Sequence, residues 1–200
     1  MTAAPGGMAL AGRRLRALAA AGALALLAAC AGLPQSRQEI AADAFARTGR
    51  FAITVTEADG AQQAVQGGFQ WRDDGRRYLL DLTNPLGSTE ARVEGQPGAA
   101  TLTRANGTQL HADDPDALAE DALGGPVPVS GLRDWLRGRL ARQPAPQDLQ
   151  RDDQGRPASF IQGGWQARLS RYDALGPQLL MLERREPGRR IVVRLVVNQP

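Results

Sequence analysis

Beyond Gly49 the chain alternates apolar and polar residues in short runs, and turn formers interrupt them roughly every 8 to 12 positions, the pattern of antiparallel β-structure. In the first run Phe51, Ile53 and Val55 fall on one face and Ala52, Thr54 and Thr56 on the other. Ala58-Asp59-Gly60, Asp73-Asp74-Gly75, Pro97-Gly98, Asn106-Gly107, Asp153-Gln154-Gly155 and Glu186-Pro187-Gly188 supply turns. The pattern breaks once. Asp114 followed by Pro115 reads as a helix cap and first helical position; Leu118, Ala119 and Ala122 share one helical face, and Gly124-Gly125-Pro126 ends it. Ser130 is expected to cap a second helix bearing Leu132, Trp135 and Leu136. Past Pro144 and Pro146 strands resume from Leu149 to Val197. The fold class is therefore mostly β, with ten or eleven strands and a few short helices inserted at about 115–139. The sheet domain is expected over residues 49–200, preceded by a tether at 30–48 with a short helix over 37–45.

A different pattern opens the chain. Arg13, Arg14 and Arg16 precede an uncharged Ala/Leu run at 17–29, shorter than the roughly 20 residues of a membrane span and of secretory-signal form. Its end, Leu27-Ala28-Ala29-Cys30, resembles the lipobox of bacterial lipoproteins. That resemblance implies removal of residues 1–29, a diacylglyceryl group on the Cys30 thiol and an acyl group on the new amine. No other cofactor is expected. Ala31 in place of an aspartate after the cysteine points, by the same resemblance, to the periplasmic face of the outer membrane. The alternative is an ordinary signal peptide with an incidental cysteine.

Composition removes most chemistry. One cysteine and one histidine exclude disulfide frameworks, Cys/His zinc sites and Cys–His catalysis. All 24 basic residues are arginine, which excludes Schiff-base and P-loop lysines. The net charge of +3 comes from the three leader arginines; the remainder of the chain is balanced, 21 Arg against 21 Asp and Glu, so no nucleic-acid footprint is present. Asp73/Asp74 and Asp152/Asp153 sit beside glycines as turn formers, and Asp113, Asp114 and Asp116 lack calcium-loop spacing. No Gly-x-Ser-x-Gly elbow occurs and His111 has no serine partner at motif spacing, so no catalytic residue and no metal ligand are assigned.

Phe51, Phe69, Trp71, Tyr78, Trp165 and Tyr172 fall in strand-like runs, where a packed curved sheet and a ligand cavity both account for them. In Asn84-Pro85-Leu86-Gly87-Ser88 a leucine stands among turn formers, either folded back over the sheet or displayed as a contact tip. Gly67-Gly68-Phe69-Gln70-Trp71-Arg72, Arg77-Tyr78, Asn84-Pro85-Leu86-Gly87-Ser88-Thr89-Glu90, Pro126-Val127-Pro128 and Leu132-Arg133-Asp134-Trp135-Leu136-Arg137-Gly138, with the lipobox, resemble the LolB family. The resemblance implies a half-open antiparallel β-barrel of about 11 strands whose helical lid encloses an apolar cavity. Phe51, Phe69, Trp71, Tyr78, Leu80, Trp135, Trp165 and Tyr172 are its candidate lining, and Leu86 with Pro85 and Gly87 a membrane-insertion loop. It further implies a monomer that takes lipoproteins from a periplasmic LolA-like carrier, holds their acyl chains, and delivers them to outer-membrane lipids without ATP. The competing reading is a lipid-anchored structural or assembly protein of the envelope with a packed barrel.

Overall fold

The computed structural model describes residues 44–123 and 125–199. Cys30, the leader and most of the tether lie outside them. Strands β1 (Phe45–Glu57), β2 (Gln62–Asp73), β3 (Tyr78–Thr83), β4 (Thr89–Gln96), β5 (Ala99–Arg104) and β6 (Gln109–Ala112) form an antiparallel meander. Helices α1 (Pro115–Leu123) and α2 (Val129–Trp135) come next, then β7 (Gln147–Arg151), β8 (Pro157–Gln162), β9 (Trp165–Tyr172), β10 (Pro177–Glu186) and β11 (Arg189–Val197). All eleven join one sheet, in the order β6-β5-β4-β3-β2-β1-β11-β10-β9-β8-β7. Pairing of β1 with β11 unites the two meanders, whereas β6 and β7 remain the free edges, so the barrel is half open. Both edges are short, which limits the backbone they offer to another sheet.

One face of the sheet is apolar along every long strand. Phe51, Ile53 and Val55 point inward as the alternation predicts, beside Phe69 and Trp71 of β2 and Val193 and Leu195 of β11. Curling brings neighbouring backbones close. A Cβ on Gly67 would stand 2.0 Å from the Thr83 carbonyl oxygen, and one on Gly95 would strike the Tyr78 ring that lies over it. Glycine at these two positions lets the sheet bend where a side chain would hold strands apart.

The first strand starts earlier than the pattern suggested. Residues 45–48 belong to β1 rather than to a tether or helix, because Phe45 and Arg47 continue the inward alternation. Arg47 hid that continuation. Its guanidinium is buried, donating to the Asp173 carboxylate at 2.8 Å and to the Gly176 and Pro177 carbonyls. At α1 the Asp114 carboxylate accepts from the Asp116 amide at 2.9 Å, as an N-cap should. The expected Ser130 cap is corrected: Ser130 lies inside α2, and its amide donates to the Asp116 carboxylate of α1 at 2.7 Å. An acid from the neighbouring helix does the capping.

Candidate functional site

Two regions meet the sequence expectations in opposite ways. Between β3 and β4 the Asn84 side chain organises its own loop. Its oxygen accepts from the Leu86 and Ser88 amides at 2.9 and 3.1 Å, its nitrogen donates to Glu90 at 2.7 Å, and the Gly87 amide closes a turn on the Asn84 carbonyl. Asparagine first, proline second and glycine fourth suit such a turn, and Gly87 takes φ +92. Leu86 between them is 92% exposed, against 45% for Leu175, the next large apolar residue in that respect among the described residues. It is not folded back over the sheet.

The lid region buries its leucines. Val129, Leu132, Trp135 and Leu136 of α2 and the turn after it are buried against the inner face. The space left beneath them is about 20 Å³, lined by Phe51, Phe69, Trp71 and Leu80 with Leu132 and Leu136 from the lid. That is room on the scale of one water molecule, so the expected cavity is filled in this state by the lid's own side chains. Of the eight candidate lining residues, Phe51, Phe69, Trp71 and Leu80 line the space. Tyr78, Trp135, Trp165 and Tyr172 do not. Tyr78 stacks on Trp71 at 4.9 Å, Trp135 meets Phe160 edge-on, Trp165 lies beneath Arg184, and Tyr172 is half-buried beneath Arg156.

What holds the lid down was missed in the sequence. Asp73, read as a turn former, accepts from the Gly75 amide as a turn aspartate would, but its carboxylate is buried and also takes a bidentate pair from Arg133 of α2 at 2.7 and 2.9 Å. Arg137 approaches the same carboxylate at 3.5 Å and stacks over Phe45. Burial pushes the Asp73 carboxyl upward, yet the Arg133 and Gly75 hydrogen bonds and the two guanidinium charges outweigh it and hold it below the usual range. Asp116 moves the other way, raised by burial despite its bonds from Ser130. At the far end Gln162, buried on β8, accepts from Trp135 Nε1 and the Ala141 amide and donates to the Ala141 and Pro144 carbonyls. Parity was the available signal: Asp73 shares the inward phase of Phe69 and Trp71, and Gln162 that of Phe160. A polar residue in that phase needs a partner.

A family model described as outer membrane lipoprotein LolB matches residues 43–199. Among curated proteins, the outer-membrane lipoprotein LolB of Bordetella petrii is 70% identical over 187 residues, 94% of either chain. That of Bordetella pertussis is 70% identical over 177 residues, 88% of this chain and 89% of the relative. The one from Cupriavidus necator is 42% identical over 192 residues, 93% and 96% respectively. A crystal structure of a LolA superfamily protein from Nitrosomonas europaea aligns with TM-score 0.40 at 12% identity, over 81% of this chain and 90% of that one.

Proposed function

Because the chain belongs to the LolB family of outer-membrane lipoproteins, we propose that it receives lipoproteins from a periplasmic LolA-like carrier and inserts them into the outer membrane without ATP. Acyl groups on Cys30 hold it there, facing the periplasm, and three such chains make release negligible. The observation that carries the reading is the Leu86 tip, a leucine displayed on a hydrogen-bonded turn beside a half-open apolar barrel.

The filled interior sets the energetics of acceptance. An acyl chain enters by taking the place of the four lid side chains Val129, Leu132, Trp135 and Leu136. Withdrawing them costs roughly 6–12 kcal/mol at about 1.5–3 kcal/mol each. A palmitoyl-length chain of about 15 methylenes returns about 12 kcal/mol at ~0.8 kcal/mol each. The exchange runs from neutral to about 6 kcal/mol in favour of entry, so no ATP is needed to open the lid, and a difference of ~1.4 kcal/mol between carrier and receptor moves the client tenfold. Leu86, entering the leaflet for about 1.5–3 kcal/mol of apolar burial, then brings the open barrel against lipid.

The packed interior also favours the second reading, an assembly protein that carries no acyl cargo. One experiment separates them. Carrier loaded with an acylated client is mixed with the acylated protein in liposomes. The wild type should take the client and deposit it, and Leu86→Glu should take it but leave it undeposited. Normal deposition by Leu86→Glu rejects the tip, and a client that never leaves the carrier rejects the receptor role.

A further inference from the structure

Beside the Leu86 loop the outer face of the sheet carries a cleft of about 440 Å³. Asn84, Pro85 and Gly87 with Thr83 at the end of β3 form one wall, and residues of β1, β2 and β11 with Asn198 form the rest. Two charged residues line it, Arg50 and Arg194, and no acid does. Arg50 stands opposite Val196 and Arg194 opposite Ala52, so the two arginines are diagonal neighbours on one face, on the order of 7–8 Å apart at the backbone. Both are exposed, and neither has an ion-pair partner among the described residues. Glu90, at the start of β4, accepts from the Asn84 side chain. Elsewhere on this face Glu183 is already held by Arg185 and Arg190.

Arginine suits a phosphodiester because its planar fork donates two parallel hydrogen bonds to neighbouring oxygens. A leucine that enters the acyl region of a leaflet carries the wall behind it to headgroup depth, and the wall behind Leu86 is this cleft. We propose that Arg50 and Arg194 form a headgroup site for the phosphate of a membrane phospholipid. The proposal rests on the reading of Leu86 as a membrane tip. The leucine supplies depth and the arginines supply orientation, turning the β1–β11 outer face toward the bilayer.

The test uses the arginine-specific reagent phenylglyoxal on the acylated protein, read residue by residue by mass spectrometry. Vesicles of phosphatidylethanolamine and phosphatidylglycerol are compared with micelles of an uncharged detergent. Modification of Arg50 and Arg194 should slow roughly fivefold in the vesicles, the shift expected for an arginine at an anionic surface. Arg151, exposed on the edge strand β7, should react equally in both. Equal reaction of Arg50 and Arg194 in both settings overturns the site. The same protection from inorganic phosphate in micelles overturns its assignment to a bilayer in favour of a free anion. Protection by an acidic carrier protein in micelles, absent from the vesicles, overturns it in favour of protein docking. Leu86→Glu separates the two claims. If Leu86→Glu blocks deposition while Arg50 and Arg194 of the wild type react equally in vesicles and micelles, the headgroup site fails and the tip stands; if Leu86→Glu deposits normally while the wild-type arginines are protected, the site stands and the tip fails.

Discussion

The loop at residues 84–88 and helix α2 both carry leucines, yet the loop shows its leucine to solvent and the helix hides its own. The difference lies in the range of the contacts that hold each segment. Asn84 organises the loop through bonds spanning two to six residues, so the turn is held by its own near neighbours, Glu90 at the start of β4 being the farthest. Helix α2 is too short to be stable alone and depends on Asp73, 60 residues earlier, and Gln162, 27 residues later. A tip that must enter a foreign phase gains from local rigidity. A lid that must yield to cargo gains from contacts that exchange against it.

Introducing a charge beneath the lid should break the comparison most severely. Leu132→Asp places a carboxylate among Phe51, Phe69 and Trp71 and should cost more than about 4 kcal/mol or prevent folding, whereas Leu86→Asp should shift stability by less than about 0.5 kcal/mol. Denaturant titration of both variants measures the contrast, and comparable losses would mean that the loop is not independent of the core.

Unlatching the lid should have a smaller effect. Arg133→Ala leaves the buried Asp73 carboxylate with the Gly75 amide and Arg137 at 3.5 Å, and should cost toward the low end of roughly 3–5 kcal/mol. It should also raise uptake of a hydrophobic fluorescent probe. A stable variant with unchanged uptake would show that α2 is held by packing and not by the ion pair.

Acid should act on the same latch. The Asp73 carboxyl titrates below 3.8 when folded, so its contribution is complete above about pH 3.8 and disappears as pH falls through the lower folded value. Asp116, raised when folded, contributes the opposite slope: it binds more protons in the folded protein, so stability falls as pH rises through the interval between 3.8 and its raised value. Unfolding free energy measured from pH 2 to 6 should show a shallower acid-side decline in Asp73→Asn, the rest coming from other lowered carboxylates such as Asp173 and Glu183, and should lose the decline with rising pH in Asp116→Asn.

The mildest change loosens the tip without removing it. Asn84→Ala deletes the bonds to Leu86, Ser88 and Glu90 and should cost about 1 kcal/mol while slowing client deposition less than Leu86→Glu does. Deposition rates ranked the other way would place the function in the loop backbone and not in the leucine.

Alternation along the chain, turn chemistry and short motifs, Asn84-Pro85-Leu86-Gly87-Ser88-Thr89-Glu90 above all, determined the strand content, the Asn84 to Ser88 turn and the family, because each depends on neighbours close in sequence. The parity that makes Phe51, Phe69 and Trp71 inward was legible for the same reason. The start of β1 was not, since Arg47 is tolerated inside only by the Asp173 carboxylate, 126 residues away. Whether Leu86 is displayed, whether Asp73 is a turn residue or a latch, and whether the interior is hollow or filled were decided by the tertiary structure alone. Each of those turns on which distant side chain occupies a volume or meets a charge, and periodicity specifies a face without naming the group that will stand opposite it.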